Sequence, residues 1–276
     1  MTIQNNGPRK RLLALDTATA VLGVAITENG RLLHEINATG ERNHSVHLLP
    51  IIEQALSATG TAAGMLEGVI VGVGPGSYTG TRIAVTAAKT LAWAWKAPLT
   101  GVSSLHALAW GGYEAGLSRQ SGEDDAAAGV SGSGTDWIIP LLDARRGQAY
   151  TALFAADGKL PPQRLEPDGI RLMADWVQQL EARLEKAAAA GAQPRTLWFV
   201  GETALHGSAA ALGLLPDKGH VQVLPYELEG RWVGYLGEQG PYSRVEEIHG
   251  LIPNYTQLTE AEVNLRRSSE GSLKKQ

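Results

Sequence analysis

Ile138-Ile139-Pro140-Leu141-Leu142-Asp143-Ala144-Arg145-Arg146-Gly147 is the stretch that decides how this chain is read, because its pattern has occurred once before. The earlier copy is Leu12-Leu13-Ala14-Leu15-Asp16 with the turn Thr17-Ala18-Thr19-Ala20. Each copy is an apolar run of strand length that ends in aspartate. Each then turns tightly into a second apolar run, Val21 to Thr27 or Gln148 to Ala155. The second runs meet Asn29-Gly30 and Asp157-Gly158, dipeptides suited to type I′ hairpin turns because both central residues take positive φ. Farther on, Val69 to Val73 and Leu197 to Val200 are short apolar strands. One runs into Gly74-Pro75-Gly76 and a helix, the other into Gly201 and helical sequence near Ala204 to Leu212. Four features in the same order imply a duplicated α/β unit, a hairpin followed by βαβ, and hence two subdomains.

The 276 residues are long enough for two such units. Hydrophobic residues make up 43% and charged residues 19%, an ordinary globular balance. The formal charge of -4 and a pI near 6.0 give no basic face with which to displace counterions from nucleic acid, so any such ligand is expected to be carried by a partner. The absence of cysteine excludes disulfides and thiolate metal sites. Met1 to Arg11 is polar, and the apolar run behind it is interrupted by Asp16, Thr17 and Thr19. That fits neither a signal peptide nor a membrane span, and a cytoplasmic protein is expected.

Leu117 to Asp136, between the halves, is rich in Gly, Ser and Asp without a periodic apolar face, and reads as a flexible surface loop. Asp175 to Ala190 reads as an amphipathic helix with Trp176, Val177, Leu180 and Leu184 inward, closed by Gly191 and Pro194. Two helices carry more apolar surface than one sheet can cover. In the one after Gly80, Arg82, Lys89 and Lys96 fall on one stripe, and apolar residues take most of the remaining circumference. The other, Ser45 to Ala58, spreads Val46, Leu48, Leu49, Ile51, Ile52, Ala55 and Leu56 beyond a single face, with Pro50 inside the pattern. Periodicity leaves two readings open: burial inside one large domain, or one side on a sheet and the other on a second protein.

Gly72-Val73-Gly74-Pro75-Gly76-Ser77-Tyr78-Thr79-Gly80 leads into a helix, where free N–H groups can bind anions. It lacks the Gly-Lys-Ser/Thr ending of a P-loop, and a tight turn with Ser77 or Thr79 as N-cap accounts for it. Asp16 and Asp143 end equivalent strands facing an interdomain cleft. In nucleotide-cleaving proteins of such architecture, aspartates here hold a metal-bridged phosphate, and the following turns let backbone N–H groups approach it. Thr17-Ala18-Thr19-Ala20 suits that role. Ala144-Arg145-Arg146-Gly147 puts large side chains where glycines are needed, so the second turn reads as degenerate. His44 and His47 have chelating spacing but no carboxylate partner, and read as surface or capping residues. Ser77, Ser103 and Ser104 lack a nucleophile elbow or a histidine in recognisable order.

Several segments together resemble the TsaB family. They are Leu13-Ala14-Leu15-Asp16-Thr17-Ala18-Thr19, Asn43-His44-Ser45-x-x-Leu48-Leu49-Pro50, Val73-Gly74-Pro75-Gly76-Ser77-Tyr78-Thr79-Gly80-x-Arg82-Ile83, Gly101-Val102-Ser103-Ser104-Leu105, Leu142-Asp143-Ala144-Arg145-Arg146-Gly147 and Tyr255-x-x-Leu258-x-x-Ala261-Glu262. The resemblance implies an actin-like ATPase (ribonuclease H-like) fold with a degenerate second half, split at residues 1–104 and 105–276, the last segment returning toward the first. It implies a non-catalytic subunit, with no cofactor or metal of its own, that supports threonylcarbamoylation of the adenosine beside the tRNA anticodon. The partners implied are the paralogue TsaD and the ATPase TsaE. Laid on this chain, the two metal-binding histidines of TsaD fall on Ser104 and Leu108, with His106 out of register. The two doubly apolar helices correspond to the surface that binds TsaD and also mediates self-association. The residues expected there are Val46, Leu49, Ile52, Leu56, Thr81, Val85, Ala88, Ala92 and Trp95, with Ala88 facing outward. A small-molecule kinase or ATPase of the actin-like superfamily is the rival; it would need an intact second phosphate turn, against which Arg145 and Arg146 speak. A glycoprotease would need a nucleophile–base pair.

Overall fold

A computed structural model describes residues 10–39, 43–122, 134–158, 161–206, 220–240 and 245–256. The first half contributes strands β1 (Arg11–Asp16), β2 (Val21–Glu28), β3 (Arg31–Thr39), β4 (Leu66–Gly72) and β5 (Leu99–Val102). They form one sheet in the order β3-β2-β1-β4-β5. The second half contributes β6 (Asp136–Asp143), β7 (Gln148–Ala156), β8 (Gln163–Leu172), β9 (Thr196–Gly201) and β10 (His220–Pro225). Their order, β8-β7-β6-β9-β10, repeats the first sheet. In both sheets the first three strands form an antiparallel meander, and the last two strands add on in parallel. The duplication read from the sequence is therefore a duplication of topology, and the fold is actin-like.

Among the described residues, five helices complete the layers: α1 (His44–Ala58), α2 (Tyr78–Trp95), α3 (Ser104–Gly122), α4 (Met173–Ala189) and α5 (Gly230–Glu238). α1 and α2 cover the outer face of the first sheet, and α4 covers the outer face of the second. Between the sheets lies a third core, in which Leu12, Ala14 and Ile70 of one sheet share a cluster with Ile138, Phe154 and Val200 of the other. β1 and β6 are buried on both faces, which is why each reads as a continuous apolar run. α3 and α5 fill the central layer: α3, which follows β5, packs chiefly on the second sheet, and α5, which follows β10, packs chiefly on the first. Glycine makes this closeness possible. A Cβ at Gly112 would sit 2.6 Å from Val200, and one at Gly111 would sit 2.6 Å from the Trp232 ring.

Several expectations are corrected here. Residues 117–122 belong to α3, and Leu117 packs on the central core, one turn beyond the buried Tyr113. Asp136 is buried, bonded by the Tyr113 hydroxyl at 2.6 Å and paired with Arg195 at 2.9 Å. Of the proposed loop, 123–133 lie outside the described residues. Asn29 and Gly30 have φ of 49° and 73°, as a type I′ turn requires. Asp157 does not, and β8 resumes only at Gln163, so the second hairpin has a longer connection. The second half was expected to have a helix near Ala204 to Leu212; residues 204–206 form a turn, and 207–212 lie outside the described residues.

The faces of α1 and α2 also differ from expectation. Thr81, Val85, Ala88 and Ala92 point inward with Ala84, and Ala88 is fully buried rather than outward. Their small side chains let α2 lie close to β4. Ile52 is buried, and Leu56 and Trp95 pack against the same outer core. Of the residues expected on a partner surface, only Val46 and Leu49 stand clear, 65% and 57% exposed. The other side of α2 presents Ile83, Ala87 and Leu91, then Trp93 at 62% exposure.

A C-terminal strap, residues 245–256, runs along α2. The Lys89 ammonium donates to the carbonyls of His249 (2.9 Å) and Leu251 (3.0 Å), and Ile248 enters the outer core. Asn254 then ties the halves together: its N–H donates to the Val73 carbonyl at 2.7 Å and its amide to Asp168 on β8 at 3.3 Å.

Candidate functional site

A cleft of about 1280 Å³ separates the halves where β1 and β6 end. One wall is the turn Ala18-Thr19-Ala20 with Gly76 to Gly80 at the start of α2; the other is Leu142 to Arg145 with Tyr150, Glu202 and Glu227. Asp16 does not line it. Its carboxylate is 1% exposed and turned inward, accepting from the Ala18 N–H at 2.6 Å and the Ser104 hydroxyl at 2.5 Å. The Ser104 oxygen in turn accepts from the Gly74 N–H at 3.1 Å. Burial pushes the Asp16 pKa up to about 6, partly countered by the Ser104 and Ala18 hydrogen bonds.

The glycine-rich run is explained by this turn. A Cβ at Gly72 would overlap the Asp16 carboxylate, one at Gly76 the Ala18 carbonyl, and one at Gly80 the Thr17 carbonyl. The glycines admit the chain's own backbone, leaving the Thr17–Ala18 carbonyls packed against the start of α2. Two further bonds lock the arrangement: Thr17 Oγ1 donates to the Gly80 carbonyl at 2.6 Å, and the Ser77 N–H donates to the Ala18 carbonyl at 2.7 Å. Ser77 is the N-cap of α2, its hydroxyl accepting from the Gly80 N–H at 3.2 Å.

The second turn is built differently. Arg145, Arg146 and Gly147 are all left-handed, at φ of 63°, 55° and 74°. The Gln148 N–H closes the turn on the Arg145 carbonyl at 2.9 Å. Asp143 accepts from the Arg145 N–H at 3.0 Å and is held 2.9 Å from Nε2 of the buried His206. The His206 hydrogen bond, first of all, lowers the Asp143 pKa. The Asp143 N–H donates to Glu202 at 2.7 Å, and burial raises the pKa of Glu202. Glu202, His206 and Glu227 escaped the sequence reading. The duplication pointed to the first, because Glu202 follows Gly201 at the end of β9 as Val73 follows Gly72 at the end of β4.

The histidines are accounted for as structural groups. His44 stands 3.3 Å from the Thr19 carbonyl and His47 is exposed. His106 Nε2 is 2.6 Å from the Pro162 carbonyl, its ring stacked on Phe154, and burial lowers its pKa to about 4. Ser104 and Leu108 are buried, and no group of three or more potential metal ligands occurs among the described residues. No described helix is long and apolar enough to cross a membrane.

Two like halves, each a five-stranded sheet of the same order, facing one another across a cleft, define a protein of the actin-like class. A family model described as "TsaD: tRNA N6-adenosine threonylcarbamoyltransferase" matches residues 32–206. The tRNA threonylcarbamoyladenosine biosynthesis protein TsaB of Bacillus subtilis is 32% identical over 254 residues, covering 91% of this chain and 96% of that one. TsaB of Escherichia coli is 31% identical over 150 residues, 53% of this chain and 56% of its own. The chain belongs to the TsaB family. Among solved structures, an uncharacterized Pseudomonas aeruginosa protein with similarity to peptidase YeaZ shares the fold, with a TM-score of 0.63, 23% identity and coverage of 90% and 100% of the two chains.

Proposed function

We propose that this protein is a non-catalytic subunit in the formation of threonylcarbamoyladenosine on tRNA, acting by pairing with a TsaD-type paralogue through the outward side of α1 and α2. The observation that carries the proposal is an apolar groove of about 580 Å³ between those helices, walled by Leu48, Leu49, Ile83, Ala87 and Leu91. The same two helices also expose Val46 and Trp93. Exposed apolar surface of this kind on a helix pair marks an interface, and an exposed tryptophan is a typical anchor. The same face serves self-association of the free protein, and a TsaE-type ATPase joins the assembled pair. The buried Asp16 and the strained arginine turn support the non-catalytic assignment.

Leu49→Glu tests the pairing surface. Leu49 is already exposed, so the monomer should melt within a degree or so of the parent, whereas a carboxylate buried without a partner costs several kcal/mol in the complex. The expected outcome is loss of pull-down with the TsaD-type paralogue and loss of modified tRNA in a reconstituted reaction. Retention of pairing at parental affinity would remove the α1/α2 face as the contact.

A further inference from the structure

A second pocket, about 430 Å³, opens beside the main cleft and is closed by the C-terminal strap. Charge divides the two. Arg145 lines both, but the main cleft adds Asp143, Glu202 and Glu227, whereas the strap-side pocket adds Arg146 and, among the described residues, no carboxylate. Both guanidinium-bearing residues are exposed, and Arg146 has no ion-pair partner among the described residues. Their left-handed backbone would be relaxed by glycine or asparagine, so the arginines stand there at a conformational cost, as happens where a side chain serves a ligand.

Three tyrosines share the pocket: Tyr78, Tyr150 and Tyr255. The Tyr78 and Tyr255 rings lie 5.5 Å apart at 37° and are 55% and 47% exposed. The Arg82 guanidinium, 5.2 Å from the Tyr78 centroid, backs this wall with a third positive charge. Paired arginines recognise phosphate, and exposed tyrosine rings offer flat faces for a base. The volume is near the lower end of small-ligand sites, suited to one nucleotide unit.

We propose that the strap-side pocket binds a single phosphate-bearing nucleotide, its phosphate on Arg145 and Arg146 and its base against Tyr78 and Tyr255. The unit can be a free nucleotide or one unpaired residue of an RNA strand. This pocket shares Tyr78 with the end of the α1/α2 groove, but Arg145, Arg146 and Tyr255 lie outside that groove; the chain alone suffices to test it, so its failure would leave the partner assignment untouched.

The test is titration of the purified full chain, in a chelator to exclude metal bridging, with adenosine monophosphate and separately with a short unstructured oligoribonucleotide. Binding of the mononucleotide identifies a free nucleotide as the source; binding of the oligoribonucleotide alone identifies an RNA strand. Either should weaken about tenfold or more in Arg146→Glu and several-fold in Tyr255→Leu. Both positions are exposed, so the melting temperature should hold, and Glu227→Gln in the main cleft should leave binding unchanged. No binding of either probe at millimolar concentration would overturn the proposal. So would binding indifferent to Arg146→Glu, or binding altered most by Glu227→Gln.

Discussion

Asp16→Asn should stabilise the protein, and by an amount that depends on pH. The carboxyl is buried against the Ala18 N–H and the Ser104 hydroxyl, with its pKa raised from 3.8 to about 6. A raised carboxylate pKa means that the folded state holds the proton more tightly than the unfolded state does. Stability therefore falls as pH rises from about 4 to about 6, then stays low while the buried charge persists. The shift of about 2 units corresponds to roughly 3 kcal/mol at neutral pH, good to about a unit of pKa. Asparagine has the same shape and no charge. It keeps the acceptor for Ala18 but offers Ser104 a donor, so the serine proton loses its present partner, at a cost of about 1 kcal/mol. The net gain expected at about pH 7.5 is 1–2 kcal/mol, a rise in melting temperature of a few degrees. Between about pH 4.5 and 7.5 the stability gap between variant and parent should widen by about 2 kcal/mol. Taking the gap cancels every other titrating group, including Asp143, whose lowered pKa acts in the opposite sense. Urea unfolding of both proteins across that range is the assay. A gap that does not change with pH would refute the assignment of a raised pKa to Asp16.

Gly80→Ala should destabilise by about 3 kcal/mol, since the new methyl meets the Thr17 carbonyl and the turn must shift; a loss under about 1 kcal/mol in chemical denaturation would contradict the packing account of the glycine run. Ala88→Glu should fail to fold or melt many degrees lower, because the site is fully buried against the first sheet; a normally melting variant would reverse the face assigned to α2. Replacing residues 123–133 with a short Gly-Ser linker should leave the melting temperature nearly unchanged, given that segment's composition. Extending the replacement to 117–136 should lower it, through the lost Leu117 packing and the lost Tyr113–Asp136–Arg195 bonds.

The parts of this fold legible in the sequence are those where one physical demand acts alone. β1 and β6 are buried on both sides and need unbroken apolar runs. α4 has one wet face, and its stripe of Trp176, Leu180 and Leu184 shows through. β8 was hidden because Pro167-Asp168-Gly169 interrupts it, and its pairing with β7 slips register on either side of Leu153. α3 was hidden because Gly111, Gly112 and Gly116, which look like helix breakers, serve close packing against Trp232, Val200 and Trp198. In α2, alanines and threonines lie on both sides, and their order along the chain does not say which side meets β4. At the site, Asp16 and Asp143 were found by their place at the strand ends. Their different environments were not, because Ser104 lies 88 residues from one and His206 63 residues from the other.

The placement of α3 and α5 has a further consequence. The helix after β5 covers the second sheet and the helix after β10 covers the first, so each sheet's inner face is covered by a segment that follows the other sheet. Cut between α3 and β6, each fragment would expose the inner face of its sheet and carry a helix with nowhere to lie. The fragments would be complementary, and mixing them should restore the fold that neither reaches alone. The two halves are thus mutually obligate: neither can be lost without stranding the helix of the other.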